Sequence, residues 1–149
     1  MIRALFPSLR LVLTNGCFDL VHSAHIRLLQ FAKRQGDLLV VAINSDESVR
    51  RLKGAGRPIQ GIDERCRLMQ SLEIVDFVVV FDGDTPLEVI RDLRPDVLVK
   101  GGDYAVDQIV GREYAGSVVL YDYQAGLSSS NTIRRVLTCL LYTSDAADE

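Results

Sequence analysis

Leu11-Val-Leu-Thr-Asn-Gly-Cys-Phe-Asp-Leu-Val-His-Ser-Ala-His25 decides how this chain is read. Three apolar residues, Leu11 to Leu13, form a short strand, and Thr14-Asn-Gly16 closes it. A helix is expected to follow at about Ala24–Gln35, with Ile26, Leu28, Leu29 and Ala32 at helical spacing and Gly36 as its stop. A strand running through a polar, glycine-bearing turn into a helix is the opening half of a βαβ unit. Gly16 lets the backbone come close to a ligand, and the helix start offers unpaired N–H groups and a positive dipole end, both suited to phosphate. His22 and His25 lie three apart at that start, so they share one helix face. They are the two histidines of the chain.

The pattern repeats downstream. Leu38–Ile43 is a continuous apolar run, as expected of a strand covered on both faces, and Asn44-Ser-Asp46 caps a short helix through Val49. Lys53-Gly-Ala-Gly-Arg-Pro58 reads as a flexible basic loop. Asp63–Leu72 reads as a helix, Phe77–Phe81 as a strand, and Thr85-Pro86 opens a helix ending near Arg94. Asp96–Val99 and Ser117–Tyr121 are the last strands, and Ser128–Asn131 caps a helix running toward Leu137. Alternating strands and helices predict a single α/β domain built on a doubly wound parallel sheet. Ligands of such sheets bind beyond the carboxyl ends of the strands. That rule gathers Thr14–Asp19, Asn44–Asp46, Lys100–Asp103 and the loop ending at Ser130 on one rim.

Composition narrows the function classes. The chain has 149 residues, 48% hydrophobic and 25% charged, which is enough for a real core and too apolar for disorder. No apolar run reaches bilayer length, and Met1–Arg10 lacks a secretory signal pattern, so a cytoplasmic location is expected. Cys17, Cys66 and Cys139 form neither a disulfide framework nor a CxxC motif, and Cys17, His22 and His25 lack a convincing fourth ligand for a zinc site. No protein ligand to a metal is expected. Without a basic excess, nucleic acid is not an expected partner, nor is a membrane.

The segment Cys139–Glu149 lacks helical periodicity and matches one reading frame of a transposon-end adapter used in sequencing libraries. Residues 1–138 are therefore expected to form the domain, with 139–149 a non-native tail. Asp145, Asp148 and Glu149 account for the whole imbalance between 17 basic and 20 acidic residues.

From Thr14 to His25 the chain resembles the cytidylyltransferase-like nucleotidyltransferases, whose core motif is HxGH. Further segments are similar, in order, to one branch: Asn44-Ser-Asp46, Arg51-Leu-Lys-Gly54, Gly56-Arg-Pro58, Asp96-Val-Leu-Val-Lys-Gly-Gly-Asp-Tyr104 and Gly126-Leu-Ser-Ser-Ser-Asn131. That branch is the heptose 1-phosphate adenylyltransferases, which make ADP-heptose for lipopolysaccharide; the chain resembles a stand-alone form. The likeness spans about Leu11 to Leu137 and implies a Rossmann-like nucleotidyltransferase fold.

It also implies attack of a sugar phosphate on the α-phosphorus of ATP, with Mg²⁺ on the triphosphate and a homodimer as the assembly. By resemblance His22 and His25 bind the triphosphate and act catalytically, with Lys53 either joining them or remaining an ordinary solvated lysine. Thr14, Asn15, Gly16, Cys17, Phe18 and Ala24 line the nucleotide cleft, with Lys100, Gly101 and Asp103 at a later strand exit. Ser128, Ser129 and Ser130 hold phosphate while capping their helix. Asn44, Asp46, Arg57 and Arg65 are assigned to the sugar phosphate; Asn44 and Asp46 could equally cap a helix, and Arg65 could lie on the surface.

Ala24 departs from the pattern, standing where HxGH has glycine, and its methyl is expected to crowd the nucleotide. Glycerol 3-phosphate cytidylyltransferases share the core but carry an Arg-Thr-Glu-Gly run where Tyr123-Gln-Ala-Gly126 stands here. They are the alternative within the class; a catalytically weak nucleotide-binding module is the alternative outside it.

Overall fold

The computed structural model describes residues 2–122 and 127–146. Among these, five parallel strands form one sheet in the order β3-β2-β1-β4-β5. The strands are β1 (Leu11–Gly16), β2 (Leu38–Asn44), β3 (Phe77–Phe81), β4 (Val97–Gly101) and β5 (Ser117–Tyr121). The helices are α1 (Ile2–Leu5), α2 (Ser23–Lys33), α3 (Asp46–Lys53), α4 (Ile62–Gln70), α5 (Leu87–Leu93) and α6 (Ser129–Ala146). The expected doubly wound architecture is present.

Alternation along the strands builds two cores. Val12, Leu39, Val41, Ile43, Val97 and Val99 face one side with Leu28, Leu29 and Ala32 of α2 and Met69 of α4. Leu11, Leu13, Val40, Ala42 and Leu98 face the other with Ile90 and Leu93 of α5. Leu29, Leu39 and Ile43 have no exposed surface, and each such side chain contributes about 1.5–3 kcal/mol by leaving water. Ile26, expected on the apolar face of α2, is only half-buried, and Ala24 takes a buried place instead.

At the lower edge of the sheet, aspartates secure the chain where strands begin. Asp96 Oδ2 accepts the N–H of Leu11 at 2.7 Å, Asp76 Oδ2 that of Leu39 at 2.7 Å, and Asp37 Oδ2 that of Arg10 at 2.7 Å. Arg3 and Lys33 complete the first two pairs. Burial pushes the Asp96 carboxyl up, but Arg3 and the Leu11 N–H outweigh it and hold the group below its ordinary value.

The upper edge is where the winding reverses. From β1 the chain passes through α2 to β2 on one side, while β4 lies on the other, registered Val12↔Val97 to Thr14↔Val99. The crevice beyond β1 and β4 is thus the topological switch point, where open sheets bind ligands.

Several boundaries differ from the sequence reading. The short helix after β2 does not stop at Val49 but runs to Lys53, so Lys53 ends a helix rather than opening a loop. Gly54, at φ 99°, supplies the stop. Residues Lys100 and Gly101 finish β4 instead of starting a loop. The last helix runs past Leu137 to Ala146, since no glycine or proline interrupts it. Its outer part is largely exposed: Leu137, Leu140, Leu141 and Tyr142 are 56%, 60%, 68% and 81% exposed. Tyr123-Gln-Ala-Gly126 lies outside the described residues. Among those described, no helix is long and apolar enough to cross a membrane.

Candidate active site

The turn after β1 is held in a conformation its residues do not favour. Phe18 and Leu20 both take positive φ, 48° and 52°, a region that L-residues with bulky side chains rarely enter. A Cβ on Gly16 would stand 3.1 Å from the Phe18 ring, so this position has little room for a side chain.

Asp19, between the two, is what pins the turn. Its Oδ2 accepts Ile59 N at 2.8 Å and Arg57 Nε at 3.0 Å, and its Oδ1 accepts Gln60 N at 3.0 Å. Its carbonyl oxygen accepts Ser129 Oγ at the start of α6. Burial raises the Asp19 carboxyl, yet these donors together bring it below its ordinary value. Sequence reading did not single out Asp19 as a site residue. The available signal was a lone carboxylate between two apolar residues in a turn.

The histidines open α2. His22 is the N-cap residue, with extended backbone, and its N–H donates to His25 Nδ1 at 3.2 Å. The two rings stack with centroids 3.9 Å apart at 28°, and Phe18 lies against His25 at 5.3 Å. With Nδ1 accepting, the neutral His25 ring carries its proton on Nε2, a donor suited to a phosphate oxygen. Burial, then the proximity of His22 and Lys53, lowers the His25 pKa to about 4, against a smaller opposing pull from Asp19. Burial also lowers that of His22, whose Nδ1 is enclosed without a hydrogen-bond partner among the described residues.

His22, His25, Lys53, Leu127, Ser128, Ser129 and Ser130 line one cavity of about 270 Å³. Three elements thus converge: the start of α2, the end of α3 and the start of α6. Ser128 Oγ accepts the N–H of Asn131 at 3.1 Å, so it caps α6 as expected. Ser129 is buried and engaged with Asp19, while Ser130 is exposed. Stacked imidazoles, an ammonium and two helix N-termini make a cradle for a polyanion.

A second cavity, of about 360 Å³, lies at the ends of β1, β2 and β4, and takes in Asn15, Gly16, Cys17, Asn44, Lys100 and Gly101. Lys100 Nζ donates to Asn15 Oδ1 at 2.7 Å, and burial lowers its pKa. Asn44 is buried, its Nδ2 donating to Ser48 Oγ at 2.9 Å, with Cys17 Sγ 3.8 Å from its Oδ1. Ser45 rather than Asn44 or Asp46 caps α3.

Other expected site residues fall elsewhere. Arg65 has no exposed surface, so surface placement is excluded. Its guanidinium donates to Gln60 O at 2.9 Å, Cys17 O at 2.7 Å, Asn44 O at 2.8 Å and Asp46 Oδ1 at 2.6 Å. Protein oxygens therefore occupy most of the donors that a sugar phosphate would need, and Arg65 braces the walls of the second cavity from behind. Arg57 is drawn to Asp19 and lines a shallower recess with Lys53 and Ser130. Thr14 is wholly enclosed in the sheet, and Phe18 packs into the core. Asp103 is exposed and lines neither cavity. Ala24 is 3% exposed and lines neither, so its methyl is covered by protein.

A Rossmann-like parallel sheet with an anion cradle at its switch point defines an α/β domain of the class that binds phosphorylated ligands beyond its strand ends. The cytidylyltransferase-like family pattern matches residues 13–136, and the chain belongs to that family. It is 56% identical over 129 residues to the bifunctional protein HldE of Gluconobacter oxydans, covering 84% of this chain and 27% of the relative. Against the bifunctional protein HldE of Geotalea uraniireducens it is 54% identical over 133 residues, covering 87% and 27%. The chain thus spans about a quarter of the length of these curated relatives.

Among solved structures, the lipopolysaccharide core biosynthesis protein of Thermoplasma volcanium superposes with a TM-score of 0.63 at 25% identity, covering 78% of this chain and 98% of that one. A pantoate-beta-alanine ligase of Francisella tularensis shares the fold, with a TM-score of 0.61 at 16% identity over 87% and 69%.

Proposed function

We propose that this chain transfers AMP from MgATP to a heptose 1-phosphate, giving ADP-heptose and pyrophosphate for lipopolysaccharide core synthesis. The observation that carries the reading is the convergence of His22, His25, Lys53 and Ser128–Ser130 on one cavity beside the β1 exit. Identity above 50% to the bifunctional HldE proteins, and the likeness to a lipopolysaccharide core biosynthesis protein, support the heptose branch.

The chemistry asks little covalent work of the protein. A sugar phosphate oxygen attacks the α-phosphorus, the bond to the bridging oxygen breaks, and its electron pair leaves with pyrophosphate. The acceptor is largely a dianion at neutral pH and needs no general base. What remains is positioning and charge stabilisation. The His25 Nε2–H, the His22 ring, the Lys53 ammonium and the N–H groups at the start of α6 would take the β- and γ-phosphates, while the backbone at Gly16–Phe18 would receive the α-phosphate. Among the described residues the cavity lining contains no carboxylate, and Mg²⁺ favours oxygen ligands. The ion fits as part of the substrate, held by phosphate and water, where it neutralises the leaving pyrophosphate.

Pyrophosphate release measured with ATP and CTP, each against heptose 1-phosphate and glycerol 3-phosphate, tests this. Turnover with ATP and heptose 1-phosphate is expected; turnover confined to CTP would overturn the substrate assignment.

A further inference from the structure

The second cavity has a charge distribution that the proposed nucleotide alone does not explain. Among the described residues that line it, Lys100 is the sole lysine or arginine, and Asn15 Oδ1 fixes its Nζ at 2.7 Å. A nucleoside offers no anion to meet an ammonium there, and a half-buried lysine has lost much of its water. The His22–His25 cradle shares no lining residue with this cavity; Cys17 lines the one, and Phe18, next in the chain, packs on His25 of the other.

In-line displacement sets the nucleophile opposite the leaving group across the α-phosphorus. With pyrophosphate held by the histidines, the attacking phosphate has to come from the Lys100 side. Resting on the reaction proposed above, we infer that Lys100, oriented by Asn15, is the seat of the acceptor's phosphate rather than part of the nucleotide site to which the sequence assigned it. Asn44, Thr85 and Gln108 line the same cavity and supply amide and hydroxyl groups of the kind that hydrogen-bond a sugar's hydroxyls. The acceptor class is then a polyhydroxylated phosphomonoester. Asp84, a carboxylate in the same lining, is paired with Arg51 at 2.9 Å, and the bond to Asn15 leaves the other Nζ–H donors of Lys100 for phosphate.

The test is steady-state pyrophosphate release by Lys100→Met and Asn15→Ala, varying ATP and heptose 1-phosphate separately, after thermal melting has established that each variant is folded. Loss of a charge-assisted hydrogen bond predicts an acceptor KM about 10- to 100-fold higher in Lys100→Met, with the KM for ATP held within about threefold of the unaltered protein. Asn15→Ala should move the same constant in the same direction by less, and it carries the test if Lys100→Met does not fold. A rise in the KM for ATP instead, or a fall in kcat with both KM values unmoved, would overturn the assignment while leaving the proposed reaction intact. Absence of turnover by the unaltered protein with ATP and heptose 1-phosphate would overturn both.

Discussion

The backbone N–H of His22 donates to Nδ1 of His25 at 3.2 Å, with the two rings stacked. One histidine thereby sets the tautomer of the next and leaves Nε2 as its remaining ring donor. This bond is local, yet it decides which imidazole atom a phosphate can meet.

The His25 pKa, lowered to about 4 from 6.5, makes the ring a source of pH-dependent stability. Because the folded value lies below the unfolded one, the unfolded chain binds the proton more readily at acid pH. The neutral ring's contribution is fully present above pH 6.5 and is lost as pH falls toward 4. The loss amounts to about 3 kcal/mol at most. Urea unfolding of the protein and of His25→Gln across this window should show a slope in the former that is smaller in the latter. Parallel curves would mean that the imidazole is not held neutral by the fold.

Arg65 is fully enclosed, and its partners are three carbonyl oxygens and Asp46. Arg65→Met should cost about 3–5 kcal/mol, the scale for stranding the partners of a buried ion pair. Lysine should recover only part of this, since one ammonium cannot span the same fork of acceptors. Equilibrium denaturation of the two variants checks the order. Wild-type stability in either would remove the brace from the account.

Both carboxylate oxygens of Asp19 accept backbone N–H groups. Asparagine would have to turn its NH₂ against one of them and would also lose the charge facing Arg57. Asp19→Asn is expected to lower stability by about 1–3 kcal/mol and to speed amide exchange at Ile59 and Gln60. Unchanged exchange at those two amides would count against Asp19 as the clasp between the β1 turn and this loop.

Described side chains beyond Thr138, through Tyr142, are exposed. A chain ending at Thr138 should therefore melt within about 0.5 kcal/mol of the longer one and be more soluble, having shed four exposed apolar groups or thiols. A large drop in melting temperature would show that the outer turns of α6 support the domain.

Much of this was legible from the residues. Continuous β-branched and aliphatic runs announced β2 and β3, whose ends were read within one residue; β2 is buried along nearly its whole length and has no polar alternation to confuse it, while β3 is an edge strand whose Val80 is exposed. The histidine pair and the serine run were legible because glycine, hydroxyl and imidazole groups cluster at strand exits. Lys53 was misplaced because Gly54 and Gly56 suggested a loop, whereas the helix needed only to reach its first glycine. The enclosure of Arg65 was not legible. It depends on carbonyl oxygens at Cys17, Asn44 and Gln60, far apart in the chain, meeting at one point. The covered methyl of Ala24 was missed for the same reason, since a motif shows spacing but not which way a side chain turns.

The aspartates beneath the sheet, Asp37, Asp76 and Asp96, tie down the backbone where Arg10, Leu39 and Leu11 sit. These three fasten the pole opposite the cavities, while Asp19 and Arg65 brace the pole that carries them. Residues at the upper pole that touch neither Asp19 nor Arg65 can therefore be exchanged without disturbing these lower anchors.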